Sequence, residues 1–147
     1  MKSEPGTYAL VLYAHKCDSA QIGRWGRLDI RPGHDVDVGS AFGPGGLSAR
    51  VARHCRKGGA KHWHIDYLRE FAVPVSVWYS HSTRRAEHNW AKALSETEGA
   101  EPVKGFGCTD CQCASHLFYF DHAPDPAGFS KAVNDDTVRS CACGQIG

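Results

Sequence analysis

At 147 residues with a formal net charge of +1, the chain is long enough for one domain with a real core and too short for two typical ones. The near-neutral balance excludes a polybasic coat for nucleic acid, and no apolar run approaches the ~20 residues of a membrane-spanning helix. Met1-Lys2-Ser3-Glu4-Pro5 runs straight into a strand-like pattern with no charged-then-apolar signal, so a cytoplasmic protein with no membrane partner is expected.

Gly6 to Tyr13 reads as a buried first strand, rich in β-formers. A connection punctuated by Gly23, Gly26, Pro32 and Gly33 follows, and Ile22, Trp25, Leu28 and Ile30 suggest a short hairpin or edge strand within it. The second strand, His34 to Ser40, sets Val36 and Val38 on one face and Asp35 and Asp37 on the other. It turns through Gly43-Pro44-Gly45-Gly46 into an amphipathic helix whose Leu47, Val51 and Cys55 should face the core. Arg50 and His54 form a separate polar pair on that helix, which Gly58-Gly59 ends.

His62 to Leu68 reads as a short helix or turn, Val73 to Tyr79 as a third strand, and Thr83 to Ser95 as a second long helix burying Ala86, Trp90, Ala93 and Leu94. Glu87 sits at the border of that apolar stripe, and Leu117 to Phe120 reads as a last strand. Residues 121–147 read as a partly irregular C-terminal extension, rich in Pro, Gly and Asp, with one short helix around Ser130 to Val138. Together these elements imply one domain over 1–147 of α/β (α+β) class, a small sheet with helices packed on it.

A glycine loop that offers backbone N–H groups from Gly45 and Gly46 at a helix start, with Arg50 one turn on, suits a phosphate. Between Leu47 and His64 stand Arg50, Arg53, Arg56, Lys57 and Lys61 with no acid among them, a local basic stripe that fits gripping a few phosphates or forming a solvated face. His62, His64 and Asp66 are a further group that could touch phosphate or a metal, or simply edge a turn packed by Trp63 and Tyr67.

Seven cysteines, an odd number at close spacing, argue against a secreted disulfide framework. Cys108, Cys111, Cys113 and His116 offer four soft-metal ligands, and Cys141 and Cys143 add two more. Two readings stand: a structural Zn²⁺, with the protein a small interaction domain, or buried thiols with His116 lining a cleft.

Gly6-Thr7-Tyr8 on a first strand, Val38-Gly39-Ser40 on a second, Leu47-x-x-Arg50-Val51-x-x-His54 on a helix and Glu87 on a later one resemble the core of the GIY-YIG nuclease superfamily. The stretches Gly39 to Leu47, His62 to Leu68 and Gly105-Phe106-Gly107-Cys108 to His116-Leu117 resemble its prokaryotic Uri-type branch. The resemblance spans Gly6 to Phe120 and implies a mostly antiparallel central sheet flanked by helices.

It also implies a metal-dependent DNA endonuclease that hydrolyses phosphodiester bonds in repair or processing, with Mg²⁺ or Mn²⁺ and with a DNA-repair enzyme as a further partner. On that resemblance Tyr8 activates the attacking water, Arg50 holds the phosphate, His54 orients the water or the tyrosine, and Glu87 binds the metal. DNA would run across Ser40, Gly45, Gly46, Arg53, Arg56, Lys57, Lys61, His62 and His64. The second signature position, tyrosine in the superfamily, is Asp37. That carboxylate could add to the metal site, or it could repel phosphate and leave a nucleic-acid-binding module with weakened catalysis.

Overall fold

The computed structural model describes residues 1–56, 61, 63–82, 85–106 and 115–143. A six-stranded sheet forms the centre. Its strands are β1 (Gly6–Ala14), β4 (Gly33–Ala41), β5 (Val73–Ser80), β6 (Glu101–Pro102), β7 (Leu117–Phe120) and β8 (Arg139–Ala142), in the order β6-β7-β4-β1-β5-β8. Every pairing in it is antiparallel. The strands β2 (Asp18–Ile22) and β3 (Gly26–Ile30) form the hairpin expected between the first two long strands, as a separate two-stranded sheet. The helices are α1 (Gly46–Cys55), α2 (His64–Leu68), α3 (Glu87–Ser95) and α4 (Pro126–Ala132).

β1 lies at the centre with helices over both faces, so its apolar run does not alternate with polar residues. On one face Tyr8, Leu10 and Leu12 pack with Leu47 and Val51 of α1, Ile65 and Leu68 of α2, and Ile22 and Ile30 of the hairpin. On the other, Ala9 and Val11 join Val36, Val38, Trp78, Phe118 and Phe120 against Trp90 and Leu94 of α3 and Phe129 of α4. Phe129 wedges between Trp78 and Trp90, with ring centroids 5.0 and 4.9 Å away. Each fully buried Leu or Phe here contributes roughly 1.5–3 kcal/mol.

The expected alternation in β4 holds, with Asp35 and Asp37 facing the α1 side opposite Val36 and Val38. Asp37 stands directly across from Leu10 of β1.

Four expectations about elements change. Phe120 does not end the last strand, because β8 follows and pairs with β5. The C-terminal helix runs over Pro126–Ala132 instead of Ser130 to Val138. Asp125 caps it, accepting from the N–H groups of Ala127 and Gly128 at 3.1 and 3.2 Å, with Pro126 in the first turn. α3 begins at Glu87, and its buried face is Trp90, Ala91 and Leu94, while Ala93 and Ala86 are only half-buried. Cys55 is likewise half-buried against the core that covers Leu47 and Val51. The expected helix stop at Gly58-Gly59 lies outside the described residues, as do Thr83 and Arg84.

Candidate functional site

Where β1 and β4 pair, Tyr8 lies opposite Gly39. A methyl group on Gly39 would overlap the Tyr8 phenol oxygen and ring, so the glycine makes the room in which the hydroxyl sits. That hydroxyl reaches Nε2 of His54 on α1 at 3.1 Å, with both groups buried. Nδ1 of His54 has no hydrogen-bond partner among the described residues, but the Asp66 carboxylate lies 3.8 Å from it. Asp66 thereby favours the tautomer with its proton on Nδ1, leaving Nε2 to accept from Tyr8. Burial pushes the His54 pKa down to about 4, with the Asp66 charge opposing and the Arg69, Arg53 and Arg50 charges assisting, so its ring is neutral at ordinary pH. Burial and the Asp37 charge likewise raise the Tyr8 phenol, which stays protonated.

Arg50, one helical turn before His54, donates from Nη1 to the Ser40 carbonyl at 3.1 Å and lies over the Trp63 ring at 4.6 Å. Ser40 also hydrogen-bonds Glu87 through its side chain, and His116 Nδ1 meets Glu87 Oε2 at 3.0 Å. Burial raises the Glu87 carboxyl, but the hydrogen bonds from His116 and Ser40 and the positive charges of His116 and His88 outweigh it. Glu87 is therefore ionised. Asp37 behaves oppositely: burial pushes its carboxyl up to about 8, against the His116 charge and with help from the Glu87 and Asp66 charges. Tyr8, Asp37, Ser40, Arg50, His54, Glu87 and His116 all line one cleft of about 320 Å³, together with Trp63, His64, Ile65 and Phe106.

The structure therefore brings together Tyr8, Arg50, His54 and Glu87, with Asp37, Ser40, His64 and His116 beside them. Other expected residues do different work. Arg53 holds Asp66 through Nη1 and Nη2, both at 3.2 Å, and Arg69 adds a 3.0 Å bond to the same buried carboxylate. Lys61 pairs with Glu70 at 2.5 Å. Two cations of the basic stripe, Arg53 and Lys61, thus meet acids in the segment that follows, and the buried Asp66 carboxylate anchors Arg53 and Arg69. Arg56 is exposed, and its carbonyl accepts from Arg69.

The helix-start phosphate cradle is also corrected. The N–H groups of Gly46, Leu47 and Ser48 donate to the carbonyls of Gly43, Glu4 and Lys2 at 3.2, 3.0 and 3.1 Å, because the N-terminal segment lies over the start of α1. Gly45 and Gly46 supply left-handed backbone at this turn, at φ 85° and 61°. Gly46 also lines a smaller cleft of about 180 Å³ on the flank of Arg50, with Gly43, Pro44 and Arg53.

Lys57, His62, Cys108, Cys111 and Cys113 lie outside the described residues. Cys141 and Cys143 approach Cys55 at the far end of α1 and lie outside the cleft lining. Sequence reasoning named neither Arg69 nor Trp63 as part of the site's architecture. The i,i+3 spacing of Asp66 and Arg69 is the sequence signal for that pair, and only the fold shows what it holds in place.

An antiparallel α+β fold with a polar, carboxylate-bearing cleft at the β1–β4 centre is the class of protein these observations define. The chain belongs to the family described as a domain of unknown function, DUF123, whose model matches residues 7–138. Neither the curated proteins nor the solved structures contain a match. Among the described residues no helix is long and apolar enough to cross a membrane.

Proposed function

We propose that the protein is a metal-dependent DNA endonuclease of the GIY-YIG superfamily, of the Uri-type branch, hydrolysing a phosphodiester bond in DNA repair or processing. The observation that carries this reading is the convergence in one cleft of Tyr8 from β1, Arg50 and His54 from α1, and Glu87 from α3. These are the residue types and the chain order that the resemblance implies.

The chemistry follows from their contacts. Arg50 holds the scissile phosphate, its planar guanidinium suiting two oxygens at once. Tyr8 accepts a proton from the attacking water as it passes its own to Nε2 of the neutral His54, 3.1 Å away. The hydroxide so formed attacks phosphorus, the bond to the leaving oxygen breaks, and that oxygen takes a proton from solvent. Because the phenol is held protonated, Tyr8 works as a relay and not as a stored tyrosinate.

The donor set suits a hard cation: Glu87 is an ionised carboxylate facing the cleft, and Asp37 is a second carboxyl kept neutral partly by the Glu87 charge, which a cation would offset. Glu87, with Asp37 as a second oxygen donor, would hold Mg²⁺ or Mn²⁺. Such an ion supplies Lewis-acid stabilisation of charge on the phosphate and leaving oxygen. With a cation beside it, an ionised Asp37 carries no net charge that repels phosphate, because the cation offsets it. The competing reading, a nucleic-acid-binding module, draws on Asp37 standing where the superfamily has tyrosine.

The test is cleavage of single-stranded, duplex, flapped and branched DNA with Mg²⁺ or Mn²⁺ by wild type, Glu87→Ala and Tyr8→Phe. Cutting by wild type that both substitutions abolish supports the endonuclease. Binding without cutting, or cutting that survives both changes, rejects it in favour of the binding module.

A further inference from the structure

The cleft has two walls of different chemistry. Hydrolysis as proposed uses only the wall of Tyr8, Arg50, His54 and Glu87. The other is aromatic: His64 packs against Phe106 with centroids 5.2 Å apart, and Trp25 of the β2–β3 turn backs both at 6.3 and 5.9 Å. At its edge stands Trp63, which keeps 41% of its surface exposed while lining the cleft.

Trp63 is held firmly for so exposed a ring. Its backbone N–H donates to Asp66 Oδ2 at 2.9 Å, the guanidinium groups of Arg50 and Arg53 lie 4.6 and 4.3 Å from the ring centroid, and His54 meets it edge-on at 5.7 Å. Among the described residues the other exposed large apolar side chains, Tyr13, Val73 and Val75, sit on strands away from this cleft. An indole fixed in place costs little further entropy when a flat partner stacks on it. Its immediate neighbour is the arginine that would hold a phosphate, and a phosphate carries its base within reach of that ring.

We propose that Trp63 is a stacking platform for one unstacked base next to the phosphate gripped by Arg50, so that the site takes single-stranded DNA, or the single-stranded arm of a flap, in preference to the interior of a duplex. This rests on the nucleic-acid reading of the cleft given above. The selectivity is physical: bases inside a duplex already stack on their neighbours and present no free face, whereas single-stranded bases do, and aromatic stacking tolerates any sequence. His64 and Phe106 continue the apolar wall on which the sugar and the next base would lie.

The test measures equilibrium binding in EDTA, where no divalent-ion cleavage intervenes. It follows fluorescence anisotropy of a short labelled single strand and of the matching blunt duplex, with the full chain as wild type, Trp63→Ala, Trp63→Leu and Trp63→Phe. Wild type is expected to prefer the single strand. Trp63→Ala and Trp63→Leu should each weaken single-strand binding by roughly 5- to 100-fold while changing duplex binding less than about twofold, and Trp63→Phe should retain most of the preference. Leucine keeps apolar bulk but offers no π face, so rescue by it rejects stacking. The split between the two DNAs separates a stacking tryptophan from one that only positions Arg50, whose loss weakens both.

Equal losses on both DNAs, no loss on either, rescue by leucine, or no DNA binding at all would overturn the proposal. Wild type that cuts DNA with Mg²⁺ but shows no single-strand preference removes this inference and leaves the endonuclease. A Trp63-dependent single-strand preference without any cutting does the reverse.

Discussion

Asp66 anchors Arg53, Arg69 and the Trp63 backbone beside the cleft, and replacing it gives a stability change that can be worked from its contacts. Its side chain is fully buried, and it receives two bonds from Arg53, one from Arg69 and one from the Trp63 backbone N–H, at 2.9–3.2 Å. Arg69 is itself only 8% exposed, so Asp66→Ala strands a guanidinium in a low-dielectric setting, a change that typically costs 3–5 kcal/mol. Arg69 keeps the carbonyls of Arg53, His54 and Arg56 as acceptors, and Arg53 is 27% exposed and can regain water. Both facts pull the cost to the low end, about 3 kcal/mol, or roughly 6–12 °C in Tm for a chain of this size. Asp66→Asn, which keeps one acceptor and the shape, should cost less. Urea unfolding of both variants, with a double-mutant cycle against Arg69→Met, measures the loss and the coupling. A loss under about 1 kcal/mol for Asp66→Ala, or no coupling to Arg69, would refute the reasoning.

Two further outcomes follow from the Tyr8–His54 contact. Gly39→Ala should push the Tyr8 ring aside, break its bond to His54 and cost about 1–3 kcal/mol, lowering any cleavage to the level of Tyr8→Phe. The same alanine should be nearly neutral in a Tyr8→Ala background, and unfolding measurements showing an undiminished cost there would remove the steric explanation. For His54 the pKa falls from 6.5 to about 4 on folding, so the unfolded chain binds more protons between those values. Its contribution is whole above pH 6.5 and is lost as pH drops toward 4, on the order of 3 kcal/mol in all. Asp35 and Asp37, raised to about 7 and 8, titrate in the opposite sense and lose stability as pH rises. The informative quantity is therefore wild type minus His54→Gln, from urea midpoints at pH 4.5 and 7. A difference that does not grow with pH counts against a buried neutral histidine.

Local pattern was enough for most of the elements. The β-rich run of β1, the valine–aspartate alternation of β4, the glycine loop and the apolar spacing of α1 each reflect interactions within a few residues, where periodicity and backbone sterics decide. The short edge strands escaped because two to four residues carry no period, and β8 exists only because β5 has a bare edge to pair with. α4 begins at the local cap signal Asp125-Pro126, ahead of the expected Ser130, and so carries Phe129 between Trp78 and Trp90.

At the cleft, the residue types of Tyr8, Arg50, His54 and Glu87 were legible in the sequence, but what each is bound to was not. Whether Arg53 and Lys61 face solvent or ion-pair with Asp66 and Glu70 depends on how the chain folds back after α1. Whether the N–H groups opening α1 stay available depends on the path of Lys2 and Glu4. Sequence by itself determined the long strands and the main helices, because those follow from short-range sterics and patterning, while the candidate polar residues came from the resemblance their motifs carry. Only the tertiary structure decided that the Asp37 carboxyl is held neutral, that Glu87 is ionised on His116 and Ser40, and that Trp63 stands fixed beside Arg50, because burial and long-range pairing set a group's charge and freedom.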